Sequence, residues 1–288
     1  MTTASEMKEN NRPRRCRAQF GVPVLYEAFG VRFTVRVTPK LMDRLRGVLP
    51  VGSIQLTGEE KTSDMRFSVR RRPDGHHWRL LRGKRVVIET ISSVQVLSAL
   101  RSQLVDHVGR SVKNRIFVHA GAVAWKGRAI LLPGYSYAGK STLVAALLKA
   151  GATYYSDDIA VVDDEGRIHP YARDLQLRNE YTSMQQSKTV AQIAGNNALI
   201  GSTSVAVGLV VFATHVKDDP WNTKTLTPGM AAMLGMRHTL TVRNDPARTM
   251  QTWAKVMQSA LAWTWERGEA KMAANKLLHA LETMTMPA

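Results

Sequence analysis

The first third of the chain is patterned as short runs in which apolar and polar residues alternate. In the run 31–37 every second residue is apolar, which gives one face of a strand the side chains of Val31, Phe33, Val35 and Val37. Runs of the same kind occupy 65–69, 78–81 and 86–88, and a Pro-Asp-Gly turn at 73–75 follows the first of them. Leu41, Leu45 and Leu49 are spaced by four, which predicts one short helix over 39–49. We therefore expect a β-rich module from about residue 20 to residue 89.

A longer helix is expected to join this module to the rest of the chain. Ser92 and Ser93 are suited to cap its N-terminus, and apolar residues then recur at spacings of three and four up to Gly109. After it come a hairpin over 117–132, a strand at 152–156, a hairpin that turns at 163–166 and a buried strand at 205–212. Helices are expected to begin near 140, 227 and 244. This alternation of strands and helices predicts an α/β fold for the second half.

One segment of the second half matches a nucleotide phosphate-binding loop. The pattern G-x4-G-K-[ST] is carried by Gly134, Tyr135, Ser136, Tyr137, Ala138, Gly139, Lys140, Ser141 and Thr142. The glycines let successive backbone N–H groups point into one concavity at the positive end of a helix, where they bind phosphate oxygens. Lys140 would reach the β- and γ-phosphates and the Ser141 hydroxyl would hold Mg²⁺, so ATP and Mg²⁺ are the expected cofactors. A buried strand at 129–132 enters the loop and an apolar helix leaves it, as such loops require.

Two neighbouring carboxylates follow the loop after one short helix. Asp157 and Asp158 come 17 and 18 residues after Lys140, at the end of the strand predicted over 152–156. Most nucleotide switches place their metal-supporting Asp on a later strand, so this spacing distinguishes between families of phosphate-loop protein. Short acidic side chains are also common in turns, and a strand-ending turn is the alternative interpretation of the pair.

His119 lies on the strand before the loop, and the order of His119, loop and acidic pair resembles the catalytic domain of HPr serine kinase/phosphorylase. That domain has a fold related to phosphoenolpyruvate carboxykinase. The resemblance covers about 116–178. It implies an HPr kinase/phosphoenolpyruvate carboxykinase-like P-loop catalytic domain over 114–288, which the β-rich N-terminal domain over 19–113 and a basic disordered tail over 1–18 would precede.

The resemblance also implies roles for individual residues. Asp157 looks like the base that accepts the proton of the substrate hydroxyl. Asp158 looks like its electrostatic partner and, with Ser141, a metal ligand. His119 looks like a neighbour of the reacting phosphate, although a histidine between apolar residues is by itself often a core residue. Because the two carboxylates are adjacent, the sequence leaves open which of them has which role.

The segment that follows departs from HPr kinases. The residues 170–178 stand where those enzymes carry a glycine-rich acidic signature, so the resemblance does not imply HPr itself as the substrate. Divergent HPr-kinase-like proteins encoded with modified-peptide pathways, including lasso-peptide precursor kinases, look similar in size and in having a β-rich front module. Within this segment Arg173 and Arg178 are either surface charges or contacts to phosphate or substrate.

The charge of the chain narrows the choice of partner. Its net charge is +17, and residues 1–90 hold 19 Lys and Arg against 9 Asp and Glu. Basic runs of this kind recruit acidic partners or are simply solvated. Nucleic acid is not expected as a partner, because the basic runs lack interleaved aromatic residues and a recognition motif.

Compartment follows from cysteine content and hydrophobic run length. Cys16 is the single cysteine, so no intramolecular disulfide can form, and the start of the chain has no apolar run suited to secretion. The longest nearly uncharged apolar run, 205–213, is about half the roughly 20 residues that a membrane helix needs. We therefore expect a cytoplasmic protein without a membrane segment.

The leading hypothesis is an ATP- and Mg²⁺-dependent kinase that transfers the γ-phosphoryl group to a hydroxyl, most simply a serine of a peptide or small protein. A precursor peptide of a modified-peptide pathway is one candidate acceptor. The alternative is a nucleotide-binding regulatory module in which the acidic pair supports no phosphoryl transfer. The sequence is compatible with a homo-oligomer and does not decide between ATP and GTP.

Overall fold

The computed structural model describes residues 21–57, 63, 65–72, 75–135, 138–178, 185–216 and 222–283. The basic tail over 1–18, two residues of the predicted turn at 73–75, and Ser136 and Tyr137 of the phosphate loop lie outside the described residues. The chain divides into two compact units, one that ends at Val108 and one that begins at Gly109.

A six-stranded sheet forms the first unit. Its strands are β1 (Val24–Ala28), β2 (Val31–Arg36), β3 (Ile54–Gln55), β4 (Met65–Arg71), β5 (Trp78–Arg82) and β6 (Arg85–Thr90). They lie in the order β3-β1-β2-β4-β5-β6, with β2 and β4 parallel and the other neighbours antiparallel. The four apolar residues of the run 31–37 are each at most 4 % exposed, because alternate side chains of a strand share one face. The predicted β-rich module is thus present.

Two helices accompany this sheet, α1 (Pro39–Leu45) and α2 (Ser93–Ser111). The prediction for the first was too long, since α1 ends at Leu45 rather than at Leu49. The chain continues in turns, with the N–H groups of Val48 and Leu49 donating to the Leu45 carbonyl at 2.9 and 3.1 Å. Pro50 excludes Leu49 from the helix, because the residue before a proline is disfavoured in helical conformation. Leu49 is nevertheless buried.

The second unit is built on an eight-stranded sheet. Its strands are β7 (Arg115–Trp125), β8 (Arg128–Pro133), β9 (Thr153–Ser156), β10 (Ile159–Asp163), β11 (Arg167–His169), β14 (Val205–His215), β15 (Asn222–Thr225) and β16 (Leu261–Arg267). The strand order is β11-β10-β7-β8-β14-β16-β15, and β9 pairs with β7. β12 (Leu175–Arg178) and β13 (Gln185–Lys188) form a separate hairpin. Because β8, β14 and β16 are parallel, their carboxyl ends lie at one edge of the sheet.

Helices cover both faces of this sheet. They are α3 (Lys140–Lys149), α4 (Val190–Ala194), α5 (Pro228–Met236), α6 (Pro246–Ser259) and α7 (Ala270–Thr283), with 3₁₀ turns at Gly195–Asn197 and Leu240–Arg243. One buried cluster joins the sheet to α5 and α6, and a second joins it to α3, α4 and α7. Helix α3 packs closely against β7, since a Cβ at Gly121 of β7 would lie 2.6 Å from Val144 Cγ2 of α3. The α/β architecture predicted for the second half is present, whereas β15, β16 and α7 had no predicted counterpart.

The methionines of the second unit only partly form core. Trp253 and Met257 are buried, but Met230 and Met233 of α5 are 54 % and 65 % exposed. These two are exposed because α5 packs through its small residues. A Cβ at Gly235 would lie 2.4 Å from the Trp253 ring, so the methionines lie on the other side of the helix.

None of the helices in the part of the chain that the structure describes is both long enough and apolar enough to cross a membrane.

Candidate active site

The predicted phosphate loop connects the buried end of β8 to the start of α3. Gly139 adopts a left-handed conformation with φ of 77°, and its carbonyl accepts the Leu143 N–H at 3.1 Å in the first turn of the helix. A Cβ at this position would lie 2.6 Å from the Arg267 guanidinium. Both the backbone angle and the space therefore require glycine here.

Lys140 lies between the loop and the acidic pair. Its ammonium group donates to the Tyr135 carbonyl at 2.7 Å, so the side chain folds back across the loop. Burial lowers the pKa of Lys140, while the nearby carboxylates of Asp158 and Asp157 act in the opposite direction. The loop thus places a partly desolvated cation beside two anions.

The two aspartates of the pair have different surroundings. They occupy the bend between β9 and β10, where Asp157 is 6 % exposed and Asp158 is exposed. The Ser141 side chain and the Gln176 backbone interact with Asp157 and lower its pKa, yet its Oδ1 is buried and has no hydrogen-bond partner among the described residues. One carboxylate therefore faces the phosphate loop and the other faces solvent.

The protonation of Asp157 reflects this burial. Desolvation raises the pKa of Asp157 to about 6, and the charge of Asp158 adds to the effect. Ser141, the Gln176 backbone and the charge of Lys140 act in the opposite direction without cancelling it. A cation placed against this carboxylate would favour its charged form.

His119 lies beside both parts of the site through the backbone of β7. Its carbonyl accepts the Gly134 N–H at 3.1 Å, and the next residue, Ala120, donates to the Asp158 carbonyl at 3.2 Å. The strand thereby brings the loop and the acidic pair together. The His119 side chain is exposed rather than buried in the core.

His238 is a member of this site that the sequence analysis did not single out. It follows α5, and its ring lies 4.5 Å from the Tyr135 ring and 6.1 Å from the Phe212 ring. Burial lowers the pKa of His238 to about 4, and the charges of Lys140 and Arg237 act in the same direction. A lone histidine after a helix carries no local pattern, so nothing in the sequence marks it.

Arg267 is a second residue that the sequence analysis did not find. It ends β16 with 2 % of its surface exposed, and its guanidinium donates to the Gly139 carbonyl at 2.9 Å and the Gly268 carbonyl at 2.7 Å. Burial lowers the pKa of Arg267, whereas the charge of Glu269 acts in the opposite direction. Through these bonds Arg267 holds the backbone of the loop at Gly139. It lies beside the loop because β16 and β8 end at the same sheet edge.

The remaining predicted residues are placed less centrally. Ser141 and Thr142 lie in the first turn of α3, and Thr142 is exposed. The guanidinium of Arg173 lies 5.7 Å from the Tyr171 ring centre. Arg178 ends β12, and its side chain lies outside the described structure. Among the described residues, no three His, Cys, Asp or Glu side chains are grouped so as to hold a metal ion.

Comparisons with known proteins give a structural likeness to a kinase. No protein family and no curated protein matches the sequence. Among 33 matching chains of solved structures is the HPr(Ser) kinase/phosphatase from Coxiella burnetii. It is 13 % identical with a TM-score of 0.34, over 58 % of this chain and 95 % of the other. At this TM-score the likeness carries no conclusion about activity, which has to come from the chemistry of the site.

Proposed function

We propose that this protein is an ATP- and Mg²⁺-dependent kinase that transfers the γ-phosphoryl group to a hydroxyl, in the simplest case a serine of a peptide or small protein. The observation that carries the proposal is the buried carboxylate of Asp157, which interacts with Ser141 and Lys140 and whose Oδ1 has no partner among the described residues. It joins the acidic pair to the first helical turn after the phosphate loop. A precursor peptide of a modified-peptide pathway is the acceptor that we would test first.

The side chains of the site fit a magnesium–nucleotide complex. Oxygen ligands suit Mg²⁺, which is usually held by one or two carboxylates together with water and substrate phosphates. The Asp157 Oδ1 atom is buried without a partner among the described residues, so a cation nearby would relieve the cost of its charge. When bound, Mg²⁺ would neutralise the charge that develops on the phosphates. Ser141 and one or both aspartates would hold it.

Lys140 is proposed to bind the phosphates of the nucleotide. Its ammonium already points across the loop to the Tyr135 carbonyl and is partly desolvated. A desolvated cation interacts strongly with an anion, because little water screens the pair. The Gly139 backbone, held by Arg267, fixes the start of the helix whose positive end faces the same phosphates.

The different exposure of the two aspartates supports a division of labour between them. We assign the proton acceptor to Asp158, because an exposed carboxylate can reach the hydroxyl of an incoming peptide. Asp158 would take the hydroxyl proton as the oxygen bonds to the γ-phosphorus and the bond from that phosphorus to the bridging oxygen breaks, which leaves ADP. Asp157 would hold Ser141 and the metal. This assignment exchanges the roles that the family resemblance implies.

The proposal is tested by single-turnover transfer from γ-labelled ATP to serine-containing peptides, with nucleotide binding measured separately. Asp158→Asn should keep nucleotide binding and lose transfer by about 10²- to 10⁴-fold, the usual contribution of a positioned base. Asp157→Asn should mainly raise the Mg²⁺ concentration that transfer requires. Glu165→Gln removes an exposed carboxylate from a turn of the same unit and serves as the matched control.

Two outcomes would contradict the proposal. If both aspartate variants transfer phosphate like the wild type, neither carboxylate takes part in the chemistry. If the wild type binds nucleotide but labels no peptide, the regulatory module becomes the better explanation, since a switch needs no proton acceptor at this position.

A further inference from the structure

Backbone contacts of His238 and of the next residue with β7 hold His238 beside the phosphate loop. Its carbonyl accepts the His119 N–H at 2.7 Å, and the next residue, Thr239, bridges to Val118 of β7. The hydroxyl of Thr239 accepts the buried Trp253 indole N–H at 3.0 Å. The imidazole is therefore attached to a rigid part of the core and not to a free loop.

One ring nitrogen of His238 makes no hydrogen bond with any residue that the structure describes. Nδ1 of His238 is buried and has no hydrogen-bond partner among the described residues. A buried polar atom without a partner is unfavourable, and in a native protein it calls for an explanation such as a catalytic role or a bound water or ion. The ring touches Tyr135, which is the second residue of the phosphate loop, so a ligand of the loop would lie within its reach.

The groups around the imidazole are cationic or able to become so. Lys140 acts on it from α3, His119 from β7 and Arg237 from its own turn, whereas Tyr135 and Phe212 contribute aromatic rings. Burial and these charges keep the pKa of His238 at about 4, so the ring is neutral near pH 7. A polyphosphate bound to the loop would reverse the sign of the local charge.

We propose that His238 Nδ1 is a ligand of the phosphate chain bound at the loop, and that the imidazole takes up a proton when this chain binds. The inference rests on the proposed function only in so far as a nucleoside triphosphate occupies the loop, and it does not depend on phosphoryl transfer. It adds to the site a phosphate ligand that lies about a hundred residues beyond the loop in the sequence.

The proposal has a measurable consequence for affinity. Because binding and protonation are linked, uptake of one proton makes the affinity rise up to about tenfold for each unit by which the pH falls. The phosphates of the ligand also take up protons in this range, and for that reason the informative quantity is the difference between wild type and variants.

The test is isothermal titration calorimetry of the full chain with Mg²⁺ and a non-hydrolysable ATP analogue. Titrations at about pH 6.5 in buffers of different ionisation enthalpy give the number of protons taken up. His238→Ala should lose this uptake and bind about tenfold more weakly. His238→Asn keeps an N–H donor near the position of Nδ1, so it should lose the uptake but retain part of the affinity. His119→Asn is the control for the other histidine.

The outcomes separate this inference from the proposed function. If the analogue binds to wild type but not to Lys140→Ala, and both His238 variants keep wild-type affinity and proton uptake, His238 is no phosphate ligand although the loop binds nucleotide. Uptake that vanishes only in His119→Asn assigns the proton to His119 and also overturns the inference. Failure of the wild type to bind the analogue overturns this inference and the proposed function together.

Discussion

The burial of Asp157 predicts that its replacement by asparagine stabilises the metal-free protein at neutral pH. In the folded protein the pKa of this carboxyl is raised from 3.8 to about 6, chiefly by desolvation. Between these two values the folded protein keeps the proton while the unfolded chain has lost it. Wild-type stability therefore falls as the pH rises through this window, and the loss is nearly complete above about pH 7. The side-chain amide of the Asp157→Asn variant has no proton to lose in this range, so the variant escapes this loss.

The size of the effect follows from the two pKa values. One pKa unit corresponds to about 1.4 kcal/mol, so the interval from 3.8 to about 6 corresponds to about 3 kcal/mol in the free energy of unfolding. At about pH 4 the difference between variant and wild type should reflect only the replacement of a carboxyl by an amide. By about pH 7.5 it should have shifted in favour of the variant by roughly this amount.

Urea unfolding followed by tryptophan fluorescence, in buffers with a chelator, measures the free energy of unfolding across this range. Glu165→Gln is the matched control, since it removes a carboxylate from an exposed turn and should change stability by less than about 0.5 kcal/mol. Parallel curves of stability against pH for Asp157→Asn, Glu165→Gln and wild type would refute the reasoning, because they would mean that ionised Asp157 is not destabilising. Addition of Mg²⁺ and nucleotide should narrow the gap, since a bound cation favours the ionised carboxylate.

Further predictions concern the loop, the tail and the core. Lys140→Ala should abolish the rise in melting temperature caused by Mg²⁺·ATP while leaving the fold intact; an unchanged rise would remove Lys140 from phosphate binding. Deletion of residues 1–18 should weaken capture of an acidic peptide at low salt, where charges are screened over more than about 8 Å, and leave ATP binding unchanged. Equal capture would show that the tail is only solvated. Gly235→Val should destabilise the second unit by about 1–3 kcal/mol in urea unfolding, since a Cβ would lie 2.4 Å from the Trp253 ring. Wild-type stability would mean that this contact can relax.

Features formed by residues that follow one another in the chain could be predicted from the sequence. The strand, the loop from Gly134 to Thr142 and the helix α3 follow one another within about twenty residues, and each has a local signal. Hydrophobic alternation likewise predicted β2, and the spacing of leucines and valines predicted α2, because periodicity reports which face of an element is buried. The end of α1 was missed because the chain before Pro50 stays buried in turns after it leaves the helix.

The distribution of exposure within the site was decided by the tertiary structure. Asp157 and Asp158 are neighbours in sequence, yet the first is buried near Ser141 and Gln176 and the second is exposed. His119 stands between apolar neighbours as a core histidine would, yet it is exposed at the sheet edge. A sequence pattern does not distinguish two adjacent carboxylates, whereas the desolvation of each depends on the residues that pack against it.

Residues near one another in the chain were enough to predict a phosphate loop, an acidic pair close behind it and a β-rich module in front. The tertiary structure alone decided that His238 and Arg267 join the loop. Both lie about a hundred residues or more from Gly139, one on a turn after α5 and one at the end of β16. These residues reach the loop because parallel strands end at a common sheet edge and strand pairing decides which residues are neighbours there. A local sequence pattern contains no information about such pairing.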